Sequence, residues 1–167
     1  MDLFVLRHGL AGTRGSPEYP NDDLRPLTPK GVRKMVGQVR GLNSLNMSLD
    51  AILTSPLVRA VETAGIVHQG LDRPGQLVTS DTLKPTGDPE RLIEKLAMNF
   101  TSSRNVMIVG HEPYLSGLVS MLVTGDPEPS IRLKKGALCK LRIFAARYGR
   151  CGWIEWALTP NQMLRLA

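Results

Sequence analysis

The chain has 167 residues, 42% apolar and 22% charged, and its lysines and arginines outnumber its aspartates and glutamates by six. That is the length of one domain, residues 1–167, too short for two ordinary cores, and no apolar run approaches the thickness of a bilayer. The positive balance favours anionic partners, whether nucleic acid, an acidic protein surface or phosphorylated substrates, but the basic residues are scattered and aromatics make up only 5% of the chain, so nucleic-acid binding is not expected.

Asp2 is acidic where a secretory signal carries positive charge, and the apolar run after it is only four residues long, so secretion is not expected. Cys139 and Cys151 lack metal-ligand spacing and do not make a disulfide framework, so a reducing cytoplasm and no membrane association are expected. Residues 3–6, 51–53, 77–79 and 106–109 are short apolar runs bounded by polar or turn residues, the pattern of buried parallel strands. Between them, apolar residues recur at three-and-four spacing: Val32, Met35, Val36 and Val39; Leu57, Ala60, Val61 and Ala64; Leu92, Ile93, Leu96 and Ala97; Leu115, Leu118, Val119 and Leu122. Thr28-Pro29, Ser55-Pro56 and Glu112-Pro113 predict three helix starts with proline at the first helical position, the first two behind a good N-cap residue. Residues 9–27 read as a long surface loop that can border a crevice. Residues 138–144 and 153–158 predict a closing hairpin, and the tail after residue 158 predicts a packed amphipathic end. The fold class is therefore α/β, a mostly parallel sheet covered on both faces with an antiparallel addition.

Ligands of open parallel sheets bind at the carboxyl ends of the strands. There the sequence places Arg7-His8-Gly9, Thr54-Ser55-Pro56 with Arg59 just beyond, and Gly110-His111-Glu112, so two of the three histidines and two arginines meet at one edge. Such a set suits a phosphoryl dianion, with guanidinium forks on its oxygens and the helix N-termini at Ser55 and Glu112 adding backbone donors. A divalent metal on His8, His111 and Glu112 competes poorly, because the arginines repel a cation and too few carboxylates neutralise it. The glycines of "GLAGTRG" lack dinucleotide-loop spacing, and the prolines that follow keep a helix from starting there.

In that order, "LRHG", "TSPLVRAVETA" and "VGHEP" resemble the signatures of the histidine phosphatase superfamily, also called phosphoglycerate mutase-like, from residue 3 to at least residue 122. The small size, "LRPLTPKG" and "LKKGALCKL" resemble its short SixA-type phosphohistidine phosphatase branch. The resemblance implies a three-layer α/β/α sandwich with a mixed sheet, and hydrolysis through a covalent phosphohistidine, with no cofactor or metal. It makes His8 the nucleophile, Arg7, Arg59 and His111 the groups that bind and stabilise the phosphoryl oxygens, and Arg25 a further pocket arginine beside Ser55. The glutamate that many members place after the third strand has no clear equivalent in Asp81 or Asp88, which leaves Glu112 as the alternative acid. The implied activity is that of a monomeric phosphohistidine phosphatase acting on a histidine phosphotransfer domain. A phosphatase or mutase for a small phosphorylated metabolite and a non-enzymatic phosphate-dependent binding module are the competing readings.

Overall fold

The computed structural model describes residues 1–100, 103–129 and 131–167. Among the described residues six strands form one sheet in the order β3-β2-β4-β1-β5-β6, where β1 is Asp2–Arg7, β2 Ala51–Thr54, β3 Gln76–Thr79, β4 Asn105–Gly110, β5 Leu138–Ile143 and β6 Gly152–Leu158. The first four pair in parallel, while β5 runs antiparallel to β1 and carries β6 as the second arm of the closing hairpin. Alternate residues of each central strand feed opposite cores. Leu3, Val5, Leu53, Val106 and Ile108 pack under α3 (Pro89–Asn99) and α4 (Tyr114–Thr124). Phe4, Leu6, Ile52, Met107 and Val109 pack under α1 (Pro29–Ser44), α2 (Val58–Gly70) and the short α5 (Pro160–Leu164). The architecture is the expected three-layer α/β/α sandwich.

Several local expectations change. Residues 77–79 belong to a strand at the sheet's edge, so Leu77 stays 39% exposed instead of buried. Val32, Val36 and Val61 face solvent; the buried stripe of α1 runs through Met35, Gln38, Val39 and Leu42, and that of α2 through Ala60, Thr63, Ala64 and Val67. Only Thr28-Pro29 starts a helix as predicted, with Thr28 Oγ1 accepting the Gly31 N–H. Helix α2 begins two residues past Pro56, because Ser55 is still held as sheet by its N–H on the Val109 carbonyl (3.0 Å). Pro113 occupies the cap position of α4 instead of its first turn. The tail becomes α5, closed by a capping box between Thr159 and Gln162 and packed through buried Met163 against α1.

Register decides where the chemistry gathers. Arg7 pairs with Gly110, and Thr54 with Val109, so β1, β2 and β4 end level with one another. The next residues of each strand, His8, Ser55 and His111, emerge at the same edge.

Candidate active site

At that edge lies a cavity of about 520 Å³ lined by Arg7, His8, Arg25, Arg59, His111 and Glu112, and by Asp22, Lys135 and residues 10–14 of the long loop. The two imidazoles are 5.1 Å apart between ring centres and tilted by 52°. His8 is 5% exposed and His111 2%.

The chain immediately after β1 sets the chemistry of His8. Its Nδ1 lies 2.7 Å from the carbonyl oxygen of Gly9. A carbonyl only accepts, so Nδ1 carries the proton, and in the neutral ring the lone pair belongs to Nε2. Gly9 is itself held by its N–H on Thr63 Oγ1 (3.0 Å), one turn after Arg59 on α2. Burial pushes His8 down to about 3, with the charges of His111, Arg59 and Arg7 adding to it against the Gly9 hydrogen bond. Burial, then Arg59, brings His111 down to about 3 as well. Both rings are neutral near pH 7, the form in which an imidazole is a nucleophile.

His111 is oriented from below. Its Nε2 is 2.8 Å from Ser55 Oγ. Ser55 is fully buried and does not line the cavity, and its N–H is committed to the sheet. The expected backbone donor at Ser55 is therefore absent, and the serine stands behind the histidine because β2 and β4 are neighbours.

The arginines are fixed by a residue that the sequence reading did not single out. A single 3₁₀ turn, Asp22–Leu24, in the long loop presents Asp22, whose Oδ1 accepts from Arg25 Nε (2.9 Å) and whose Oδ2 pairs with Arg59 Nη2 (3.0 Å). Arg59 Nη1 also donates to the Asp22 backbone carbonyl (2.7 Å). Burial works to raise the Asp22 carboxyl, but the hydrogen bond from Arg25 and the charge of Arg59 overcome it and hold the group below the usual carboxylate range. Arg25 reaches back to the Gly12 carbonyl (2.8 Å) and Arg7 to that of Leu133 (2.8 Å). Burial lowers Arg7 and Arg59 from their ordinary values, yet guanidinium starts so high that both stay cationic. The pairing of Asp22 with Arg25 is a three-residue spacing visible in sequence; its contact with Arg59 spans two elements and is not.

The remaining carboxylates are occupied or elsewhere. Glu112 Oε1 accepts from the Leu133 N–H (3.0 Å), and Oε2 from the Ser116 N–H (3.3 Å) and hydroxyl. Asp81 pairs with Lys84 and Asp88 caps α3. Among the described residues no three histidine, cysteine, aspartate or glutamate side chains are grouped to hold a metal ion.

A basic, enclosed site with an unprotonated imidazole nitrogen can accept a phosphoryl group and compensate its charge. Comparison with known proteins points the same way. The family model described as histidine phosphatase superfamily, branch 1, matches residues 3–84. The chain is 28% identical to the phosphohistidine phosphatase SixA of Escherichia coli, over 77% of this chain and 78% of that one. It is 30% identical to the SixA homologue of Haemophilus influenzae, over 73% and 77%. The solved structure of the protein histidine phosphatase SixA complexed with tungstate superposes with a TM-score of 0.83 at 25% identity, covering 96% of this chain and 98% of that one. With strand ends, topology and relatives in agreement, the chain belongs to the histidine phosphatase superfamily and to its short SixA-type branch.

Proposed function

We propose that this phosphatase removes the phosphoryl group from a phosphohistidine side chain of a protein, a histidine phosphotransfer domain, through a phosphohistidine intermediate on His8 and without metal or other cofactor. The observation that carries this reading is the state of the cavity's carboxylates. Asp22 has both oxygens on arginines, and Glu112 has both on the Leu133 N–H and on Ser116. Neither is placed to hand a proton to an ester oxygen, and losing a positioned acid commonly costs ~10²–10⁴ in rate. A departing imidazole needs no such acid, since its far nitrogen takes a proton from solvent. The SixA relatives support the same substrate class.

In the first step His8 Nε2 attacks phosphorus in line, the bond from phosphorus to the substrate's ring nitrogen breaks, and the substrate leaves as neutral imidazole. The Nδ1–H bond to Gly9 strengthens as the His8 ring becomes cationic. Arg7, Arg25 and Arg59 compensate the phosphoryl charge, and His111, held by Ser55, faces the transferring group. Water then attacks phosphorus, the Nε2–P bond breaks, a proton passes to solvent, and orthophosphate leaves. All of these side chains come from one chain, in keeping with a monomer.

A phosphorylated histidine phosphotransfer domain incubated with the protein should lose its label, and His8→Asn should slow the loss by at least ~10³-fold. Rapid quenching should trap an alkali-stable, acid-labile label on the parent alone. Equal retention of phosphate with parent and variant would overturn the reading. Efficient turnover of one sugar phosphate, phosphoglycerate or nucleotide, with the phosphoprotein untouched, would assign the small-metabolite class.

A further inference from the structure

Beside the phosphoryl cavity lies a second pocket of about 270 Å³, sharing Leu10 and Lys135 with it. Lys34 from α1 stands on one side and Lys134 and Lys135, from the turn before β5, on the other, with Thr159 and Asn161 from the start of α5. No carboxylate lines this pocket, and among the described residues none of the three lysines forms an ion pair.

The lysine turn is held to the backbone of the reacting residues. Gly136 N–H lies 3.0 Å from the carbonyl oxygens of both Arg7 and His8, and Arg7 Nη1 donates to Leu133. Gln38 Nε2 donates to the Gly136 carbonyl (2.8 Å), and Gly136 takes φ +79°, a conformation that suits glycine. Burial lowers the Lys135 ammonium from its ordinary value, and the charges of Arg7, Arg25 and Arg59 add to the effect.

The charge exceeds what one phosphoryl group neutralises. The phosphoryl cavity is lined by five cationic side chains, Arg7, Arg14, Arg25, Arg59 and Lys135, against the carboxylates of Asp22 and Glu112. A phosphoryl group brings about −1.5 to −2. Cationic charge therefore remains before Lys34 and Lys134 are counted.

We propose that this second pocket is a subsite for another anionic group of the same substrate molecule, a carboxylate or a second phosphate, held by Lys34, Lys134 and Lys135. The inference rests on the phosphoryl-transfer reading of the neighbouring cavity and deepens it: the substrate is a phosphorylated compound with a second acidic group close to the phosphoryl group.

The test is equilibrium binding in two arms. One compares peptides carrying a non-hydrolysable phosphonate analogue of phosphohistidine, flanked by aspartates or by asparagines. The other compares fructose 1,6-bisphosphate with fructose 6-phosphate. In at least one arm the more acidic ligand should bind about tenfold tighter to the parent, as expected for two or three partly exposed charge pairs. A Lys34→Ala, Lys134→Ala double variant should bring that ratio below about twofold, and raising the salt should erase it in the parent. Discrimination in the peptide arm assigns the second anion to a protein, and in the sugar arm to a metabolite. Equal affinities in both arms, or a ratio that survives in the double variant, would overturn the subsite. Discrimination without hydrolysis of any phosphohistidine protein would leave the subsite standing and remove the phosphohistidine substrate.

Discussion

Asp22 touches two of the guanidinium groups that the proposed reaction assigns to the phosphoryl anion. It aims Arg25 and Arg59, and on the proposed reaction it also competes with the anion for them. Asp22→Asn should therefore tighten competitive inhibition by orthophosphate, with a ~5-fold lower inhibition constant, while kcat falls as the arginines lose their orientation. Inhibition and turnover kinetics measured together check this, and an unchanged inhibition constant would mean that Asp22 only positions. Arg7, His8 and His111 stand at the ends of apolar runs and Arg59 in the helix that follows one, which is how the sequence brings all four to one cavity. Asp22 was not singled out, because its three-residue spacing from Arg25 is ordinary in a polar loop and its contact with Arg59 exists only once α2 lies beside it.

The start of α1 shows how an element shapes the site from outside it. The Leu10 carbonyl accepts from both the N–H and the hydroxyl of Thr28, and a Cβ built on Gly31 would lie 2.1 Å from that same carbonyl oxygen. Alanine normally stabilises a helix interior relative to glycine by ~0.5–1 kcal/mol. Gly31→Ala should instead destabilise by roughly 1–3 kcal/mol, the usual cost of overpacking, as measured by denaturant unfolding. It should also weaken orthophosphate binding, since Leu10 lies two residues from His8. Sequence signals placed this helix correctly because Thr28 and Pro29 act locally. They misplaced the starts of α2 and α4 because the Ser55 N–H answers to β4 and Glu112 reaches the Leu133 N–H, contacts made across the fold.

Across the whole molecule, burying two neutral imidazoles makes stability depend on pH. His8 and His111 titrate near 3 in the folded state against about 6.5 in an unfolded chain. The unfolded chain therefore binds more protons between these values, and the stability present above about pH 6.5 is lost as pH falls toward 3. Each histidine contributes up to about 1.4 kcal/mol per pH unit in that window. Denaturant unfolding of the parent between pH 7 and 5.5 should show this slope, and His111→Asn should reduce it to roughly half. A pH-independent stability there would mean that the rings are solvated. Orthophosphate should flatten the slope, because an anion beside the rings favours their protonation.

The α/β class, the closing hairpin and the placing of basic and imidazole side chains at the strand ends were determined by the sequence itself, because apolar periodicity, N-cap residues and glycine after a short buried run act within a few residues of chain. The level ends of β1, β2 and β4, the edge position of β3, the seating of Ser55 behind His111 and the capture of Arg59 by Asp22 were decided only by the tertiary structure. The first three depend on the order and register in which distant strands pair and the last on how the long loop packs against α2, and a contact between residues far apart in the chain leaves no periodicity behind it.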